Sequence, residues 1–207
     1  MSMRFILIRH GNTFKPEDKL VWVGARTDLP LVEKGLAQAQ EIADAIEKAQ
    51  VKPVALIAGP LKRTQQTAQA IADRLHTDVR TDPRLHEINY GKWEGKSSEE
   101  IMAEGDTLLL EAWNKHSIIP TGRGWQPSEA QIIVNVAAIL AEAAEGTSIL
   151  VTSNGIMRFF ARAAVNASDF PDRKVATGNV CIMERDGRTG WRIVKWNQPP
   201  HILNAEA

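Results

Sequence analysis

The chain has 207 residues, 43% hydrophobic and 24% charged, and its 25 basic and 25 acidic side chains cancel to a formal net charge of zero. That length fits one domain with a sizeable core, and the even charge balance argues against a nucleic-acid partner. Apolar runs are too short to cross a membrane, and Met1-Ser2-Met3-Arg4 leads into a strand rather than a signal-peptide core, so no membrane partner and a cytoplasmic location are expected.

Phe5-Ile6-Leu7-Ile8 predicts a first strand, and Arg9-His10-Gly11 follows at its carboxyl end, the edge where open α/β sheets bind ligands. Residues 11–31 are polar and carry Gly11, Pro16, Gly24 and Pro30, which reads as loop; Leu36, Ala39, Ile42, Ala43 and Ile46 then recur at helical spacing. Val54–Ala58 is the second apolar run, and Gly59-Pro60 opens a helix through Leu75 with Pro60 near its first position. Residues 77–96 look irregular apart from a short strand around Val79. Ser97 with Glu100 has the capping-box pattern, starting a short helix that Gly105 ends, and residues 106–126 show no readable period. A helix is predicted over 128–144, a strand over 148–152 and a helix from Asn154 to Val165. A hairpin pairs Val180–Arg185 with Trp191–Trp196 about Asp186-Gly187, after which Pro199-Pro200 and a polar tail leave the core. The single cysteine, Cys181, allows no internal disulfide and reads as core.

Strands alternating with helices predict a three-layer αβα fold with a mostly parallel central sheet and an antiparallel edge, one domain over 1–207. Within it, 97–130 is read as a helical specificity segment.

An imidazole beside a guanidinium suits phosphoryl transfer, the first attacking phosphorus while the second holds its oxygens. Lys62-Arg63-Thr64 falls in the first turn after the second strand, at the same sheet edge as His10; alone, Arg63 reads rather as a solvated helical arginine, and its convergence with Arg9 reverses that reading. Arg84–Gly95 packs charged, aromatic and glycine residues without a period, as functional loops do. Its Glu87 is a candidate proton donor to a leaving oxygen, or else a loop salt bridge. Trp22 and Trp125 sit in loop-like segments that could wall a pocket. Gly91-Lys92-Trp93-Glu94-Gly95-Lys96-Ser97 is one residue short of a P-loop, and His76, His86, His116 and His201 lack metal-ligand spacing. No metal and no cofactor is therefore expected.

Together these segments resemble the histidine phosphatase superfamily of phosphoglycerate mutases and small phosphatases. The resemblance runs through Arg9-His10-Gly11-Asn12-Thr13, Val23–Leu31, Leu61–Ala68 and the loop from Glu87 to Gly95, in family order from residue 4 to about 160. It implies a phosphoglycerate mutase-like fold, His10 as the nucleophile that becomes a phosphohistidine, and Glu87 as proton donor. Arg9, Arg63, Asn12, Thr13, Asn154 and Gly155 would hold the phosphoryl group, and Trp22, Gly24, Tyr90 and Trp125 would line the substrate pocket. Where the family carries a second histidine, this chain reads Ser153-Asn154-Gly155; asparagine donates a neutral hydrogen bond but brings no charge, and it is also a good helix N-cap. The region after Gly95 lacks the basic insertion of the mutases. The implied activity is metal-independent hydrolysis of a small phosphomonoester; the alternatives are a mutase-like phosphotransferase and a weakly active or inactive phosphate-binding protein. The sequence does not read out an oligomeric state.

Overall fold

In the computed structural model, which describes residues 2–187 and 189–206, the first strand β1 (Ser2–Arg9) sits inside a six-stranded sheet. Its interior residues alternate faces. Phe5 and Leu7 join the cluster that holds Phe159 and Phe160, while Ile6 and Ile8 join the cluster that holds Ile42, Ile46 and Ile71. A strand buried on both faces must be apolar throughout, which is why this run does not alternate with polar residues.

Helix α1 (Glu33–Lys48) buries Ala39, Ile42, Ala43 and Ile46 of the stripe its spacing predicts, while Leu36, in its first turn, is exposed. Strand β2 (Ala55–Ala58) leads to α2 (Lys62–Leu75), which begins after Leu61; Pro60 thus lies ahead of the helix rather than at its first position. Strand β3 (Val79–Thr81) is short, and the capping box starts α3 (Ser98–Ile101) with both reciprocal hydrogen bonds made.

Gly105 does not end the helical run. It takes φ 92° at a kink, and the chain continues as α4 (Thr107–His116), which the sequence pattern missed because Leu108 on its outer face is exposed. Helix α5 (Glu129–Ala141) starts at Ser128, whose hydroxyl accepts the Gln131 N–H. Strand β4 (Gly146–Thr152) is followed by α6 (Asn154–Arg162), and β5 (Val180–Asp186) and β6 (Arg192–Gln198) form the hairpin.

The strand order is β3-β2-β4-β1-β5-β6, with β1 and β2 each parallel to β4 and the β5–β6 hairpin antiparallel. This is the expected three-layer α/β architecture. In register, Arg9 stands beside Thr152 and Ala58 beside Val151, so the chain leaves β1, β4 and β2 side by side at one edge. The tail departs from expectation: Pro200–Glu206 forms a 3-10 segment against α1, and Leu203 is buried there with Ile202 packed nearby. Two apolar side chains bury enough surface to dock a terminus.

Candidate active site

The loop after β1 is pinned from below. A Cβ at Gly11 would lie 2.3 Å from the Gly35 carbonyl oxygen, and one at Gly35 would lie 2.1 Å from that of Asn12, so both positions need glycine. The same contact packs the start of α1 against the loop. Asn12 is committed to holding it: its N–H donates to Gln38 Oε1 and its side-chain amide to the Phe14 carbonyl.

His10 is buried, and its Nδ1 lies 2.7 Å from the Gly11 carbonyl oxygen. A carbonyl only accepts, so Nδ1 carries the proton and the Nε2 lone pair is free for another partner. Burial, then the charges of Arg9 and Arg63, hold this imidazole well below its ordinary pKa of 6.5. It is neutral at neutral pH, the state a nucleophile needs.

The two arginines are held by backbone carbonyls rather than by carboxylates. Arg9 Nη1 donates to the Val175 carbonyl, and Arg63 Nη1 and Nη2 donate to those of Thr27 and Gly24 at 2.8 and 3.2 Å. Carbonyls fix the guanidiniums without neutralising them, which leaves their charge for an anion. Burial lowers the pKa of each, offset in part by Glu87.

Glu87 is buried at the same cavity. Its Oε1 accepts the Ile88 N–H at 2.9 Å, its Oε2 the Gly155 N–H at 3.2 Å, and the Tyr90 hydroxyl also bonds to the carboxyl. Burial and then Glu87 push the Tyr90 hydroxyl well above its usual pKa, so it acts as a neutral donor.

One cavity of about 430 Å³ gathers Arg9, His10, Asn12, Thr13, Trp22, Arg63, Glu87, Tyr90 and Asn154. Three other expected residues lie behind its wall. Gly24 supplies the carbonyl that holds Arg63. Trp125 is buried against Tyr90, Trp93 and Trp113, with ring centroids 4.7–5.2 Å apart, where it supports the wall instead of facing the cavity. Gly155 presents its N–H to Glu87 rather than to the cavity. Asn154 is not the helix cap; that position is Ser153, and the Asn154 side-chain oxygen accepts the Val175 N–H at 2.8 Å. Asn154 thus orders the residue whose carbonyl holds Arg9.

Sequence reasoning missed Trp113, Arg158 and Lys174, which also line the cavity. Arg158 had a readable signal: one cation inside Ile156-Met157-Arg158-Phe159-Phe160, a stretch α6 buries throughout. From the segment 97–130, Ser98, Trp113 and Asn114 reach the cavity; its Asp106 instead binds Trp93 Nε1 and Arg123, and Arg123 holds its pKa down at about 2. Among the described residues, no helix is long and apolar enough to cross a membrane.

The family model described as histidine phosphatase superfamily (branch 1) matches residues 5–199. A relative from Enterobacter sp. (strain 638), named "Probable phosphoglycerate mutase GpmB", is 33% identical over 160 residues, 74% of this chain and 70% of its own. Among solved structures, a mycobacterial glucosyl-3-phosphoglycerate phosphatase superposes with a TM-score of 0.78 at 22% identity, covering 95% of this chain and 99% of that one. The phosphoglycerate mutase of Bacillus anthracis reaches 0.80 at 14% identity, covering 100% and 97%. At those identities the likeness is one of fold.

Proposed function

Because the chain belongs to the histidine phosphatase superfamily (branch 1), we propose that it is a metal-independent phosphatase acting on small phosphomonoesters through a phosphohistidine at His10. The observation that carries this reading is a neutral imidazole, its Nδ1 proton committed to the Gly11 carbonyl, sharing a cavity with two guanidiniums that form no ion pair with a carboxylate among the described residues. Phosphoryl transfer depends mainly on positioning and charge compensation, and that arrangement offers both.

In the first step the Nε2 lone pair forms a P–N bond as the bond from phosphorus to the ester oxygen breaks. The departing oxygen takes a proton from the Glu87 carboxyl, which faces the same cavity. In the second step water attacks phosphorus, its proton passes to the Glu87 carboxylate, and the P–N bond breaks to release phosphate and restore His10. Arg9 and Arg63 hold the non-bridging oxygens throughout, and Asn12, Thr13 and the Asn154 amide border the same position.

A radiolabelled phosphomonoester, quenched in alkali within one turnover, should leave an acid-labile label on His10 that His10→Ala abolishes. No label together with no turnover over a broad substrate panel overturns the reading. The GpmB resemblance favours a second one, in which the phosphoryl group returns to another hydroxyl instead of water; isomerisation of a phosphoglycerate faster than phosphate release would select it. Binding of phosphate esters without any turnover would select a third, a phosphate-binding protein in which Asn154 has replaced a charged donor.

A further inference from the structure

A second cavity, of about 670 Å³, adjoins the first, and Asn114, Arg158 and Lys174 line both. Its walls bring Lys115, Arg158, Arg173 and Lys174 together against one carboxylate, Asp172. Lys115 turns to Glu111 at 3.2 Å, and Asp172 accepts the backbone N–H of Lys174 at 2.9 Å. Among the described residues, Arg158, Arg173 and Lys174 form no ion pair with a carboxylate.

Arg158 is only 2% exposed. Its Nη1 donates to the carbonyls of Trp113 and Asn114 and to Ser117 Oγ, and its guanidinium lies 4.9 Å from the Trp113 ring centroid. These contacts fix its direction but carry no negative charge, and its Nε is buried without a partner. Among the described residues no carboxylate forms an ion pair with it; Asp172 and Glu87 act on it only through space. Arg173 Nε is likewise buried without a partner. An unpaired buried cation is costly, so a rigid one at the junction of two cavities is a site in want of an anion.

We infer that the substrate is an elongated phosphomonoester whose leaving group carries a second anion, carboxylate or phosphate, held by Arg158, Lys174 and Arg173. The inference rests on the reading that the phosphoryl group sits at His10; the leaving group then passes Trp113 from the first cavity into the second. A substrate of three carbons leaves the second cavity unfilled, whereas a longer one reaches it.

The test uses His10→Gln protein, which leaves the ester intact, and three probes: 3-(4-phosphonooxyphenyl)propionate, its propionamide, and the analogue ending in a phosphonate. Calorimetry should show at least one acid binding about tenfold or more tighter than the amide, the scale of a charge-assisted hydrogen bond. Adding Lys174→Gln at an exposed position and Arg173→Gln at a half-buried one should shrink that margin to within about threefold. Equal affinity for acids and amide, or a margin that survives the added substitutions, overturns the inference. Turnover of plain phenyl phosphate by the unsubstituted protein is scored separately: its absence counts against the phosphatase reading, while the margin between acid and amide still decides the second site.

Discussion

Replacing Gly155 with alanine tests whether Glu87 donates the proton, without touching its carboxyl. Gly155 is the second residue of α6, and a Cβ there would lie 2.4 Å from Glu87 Oε1 and 2.8 Å from Tyr90 Oη, where ordinary contact begins at 3.4 Å. The carboxyl must therefore retreat by about 1 Å, a misplacement that costs on the order of 100-fold in rate at a catalytic group. The loss should depend on the leaving group. An alkoxide cannot depart without a proton, whereas p-nitrophenolate can, and general acid catalysis is worth about 10²–10⁴-fold where it is needed. With Gly155→Ala, kcat/KM for an alkyl phosphate should fall about 100-fold and that for p-nitrophenyl phosphate by less than about fivefold. Because kcat/KM reports, on the proposed mechanism, the steps up to phosphorylation of His10, the later hydrolysis does not mask the contrast. Alanine also gains about 0.5–1 kcal/mol over glycine in a helix, which offsets the contact, so melting should change by no more than a few degrees. Glu87→Gln should give the same dependence on leaving group. Equal losses for both substrates, with melting unchanged, would refute Glu87 as the donor.

The depressed pKa of His10 makes stability depend on pH in a definite direction. Above 6.5 the imidazole is neutral in both folded and unfolded chains; below it the unfolded chain binds a proton that the native one refuses, so stability is lost as pH falls toward the folded value. Urea unfolding should weaken with falling pH by a slope that approaches about 1.4 kcal/mol per pH unit roughly one unit below pH 6.5 from this group, and His10→Gln should flatten that slope. Asn154→Ala removes the acceptor of the Val175 N–H and frees the residue that holds Arg9. It should cost about 1 kcal/mol, or roughly 2–4 °C in melting, with a clear drop in kcat/KM; unchanged kinetics would show that Asn154 does not position Arg9. Asp106→Asn should loosen the segment around Trp93 and Arg123 by about 1–2 kcal/mol, discounted because Arg123 is partly exposed. In the unsubstituted chain this carboxylate's contribution is complete above about pH 4 and fades as pH falls toward 2, a loss that tryptophan fluorescence can follow and that the variant should lack.

The sheet was legible because its strands are buried on both faces. Phe5–Ile8 and Ile149–Val151 admit only apolar residues, so each reads as an unbroken run and its polar neighbours mark the functional edge. Arg9, His10 and Arg63 could be found because each follows such a run, on the next turn of chain. Helix α4 and the docked tail were not legible for a different reason. Leu108 breaks the amphipathic pattern of α4 by facing solvent, and Ile202 and Leu203 gain their burial only when α1 is already in place. Trp22 and Trp125 show the same limit within the site. Both occupy loops and both rings pack against Tyr90, yet Trp22 lines the cavity and Trp125 is buried behind it, a distinction set by tertiary packing rather than by anything local.

Asn154 shows a role that residue type alone does not announce. Read locally it is a fine helix cap, and read by resemblance it is a phosphate donor that lacks a charge. In the fold its side-chain oxygen holds the Val175 N–H, while the Val175 carbonyl, one peptide unit away, receives Arg9 Nη1. The segment between α6 and β5 therefore joins the two walls of the cavity through a single buried valine. It runs on through Lys174 and Arg173 to the cations of the second cavity. A residue that aims Arg9 and the residues that would receive a second anion are consecutive in the chain, so a ligand gripping Arg173 and Lys174 also steadies the carbonyl that orients Arg9. Binding at the far cavity should then raise kcat as well as lower KM, because orientation of the phosphoryl clamp matters most when charge shifts in the transition state. An acid-bearing probe that improves only KM over its amide in the unsubstituted enzyme would show that the two cavities are mechanically independent.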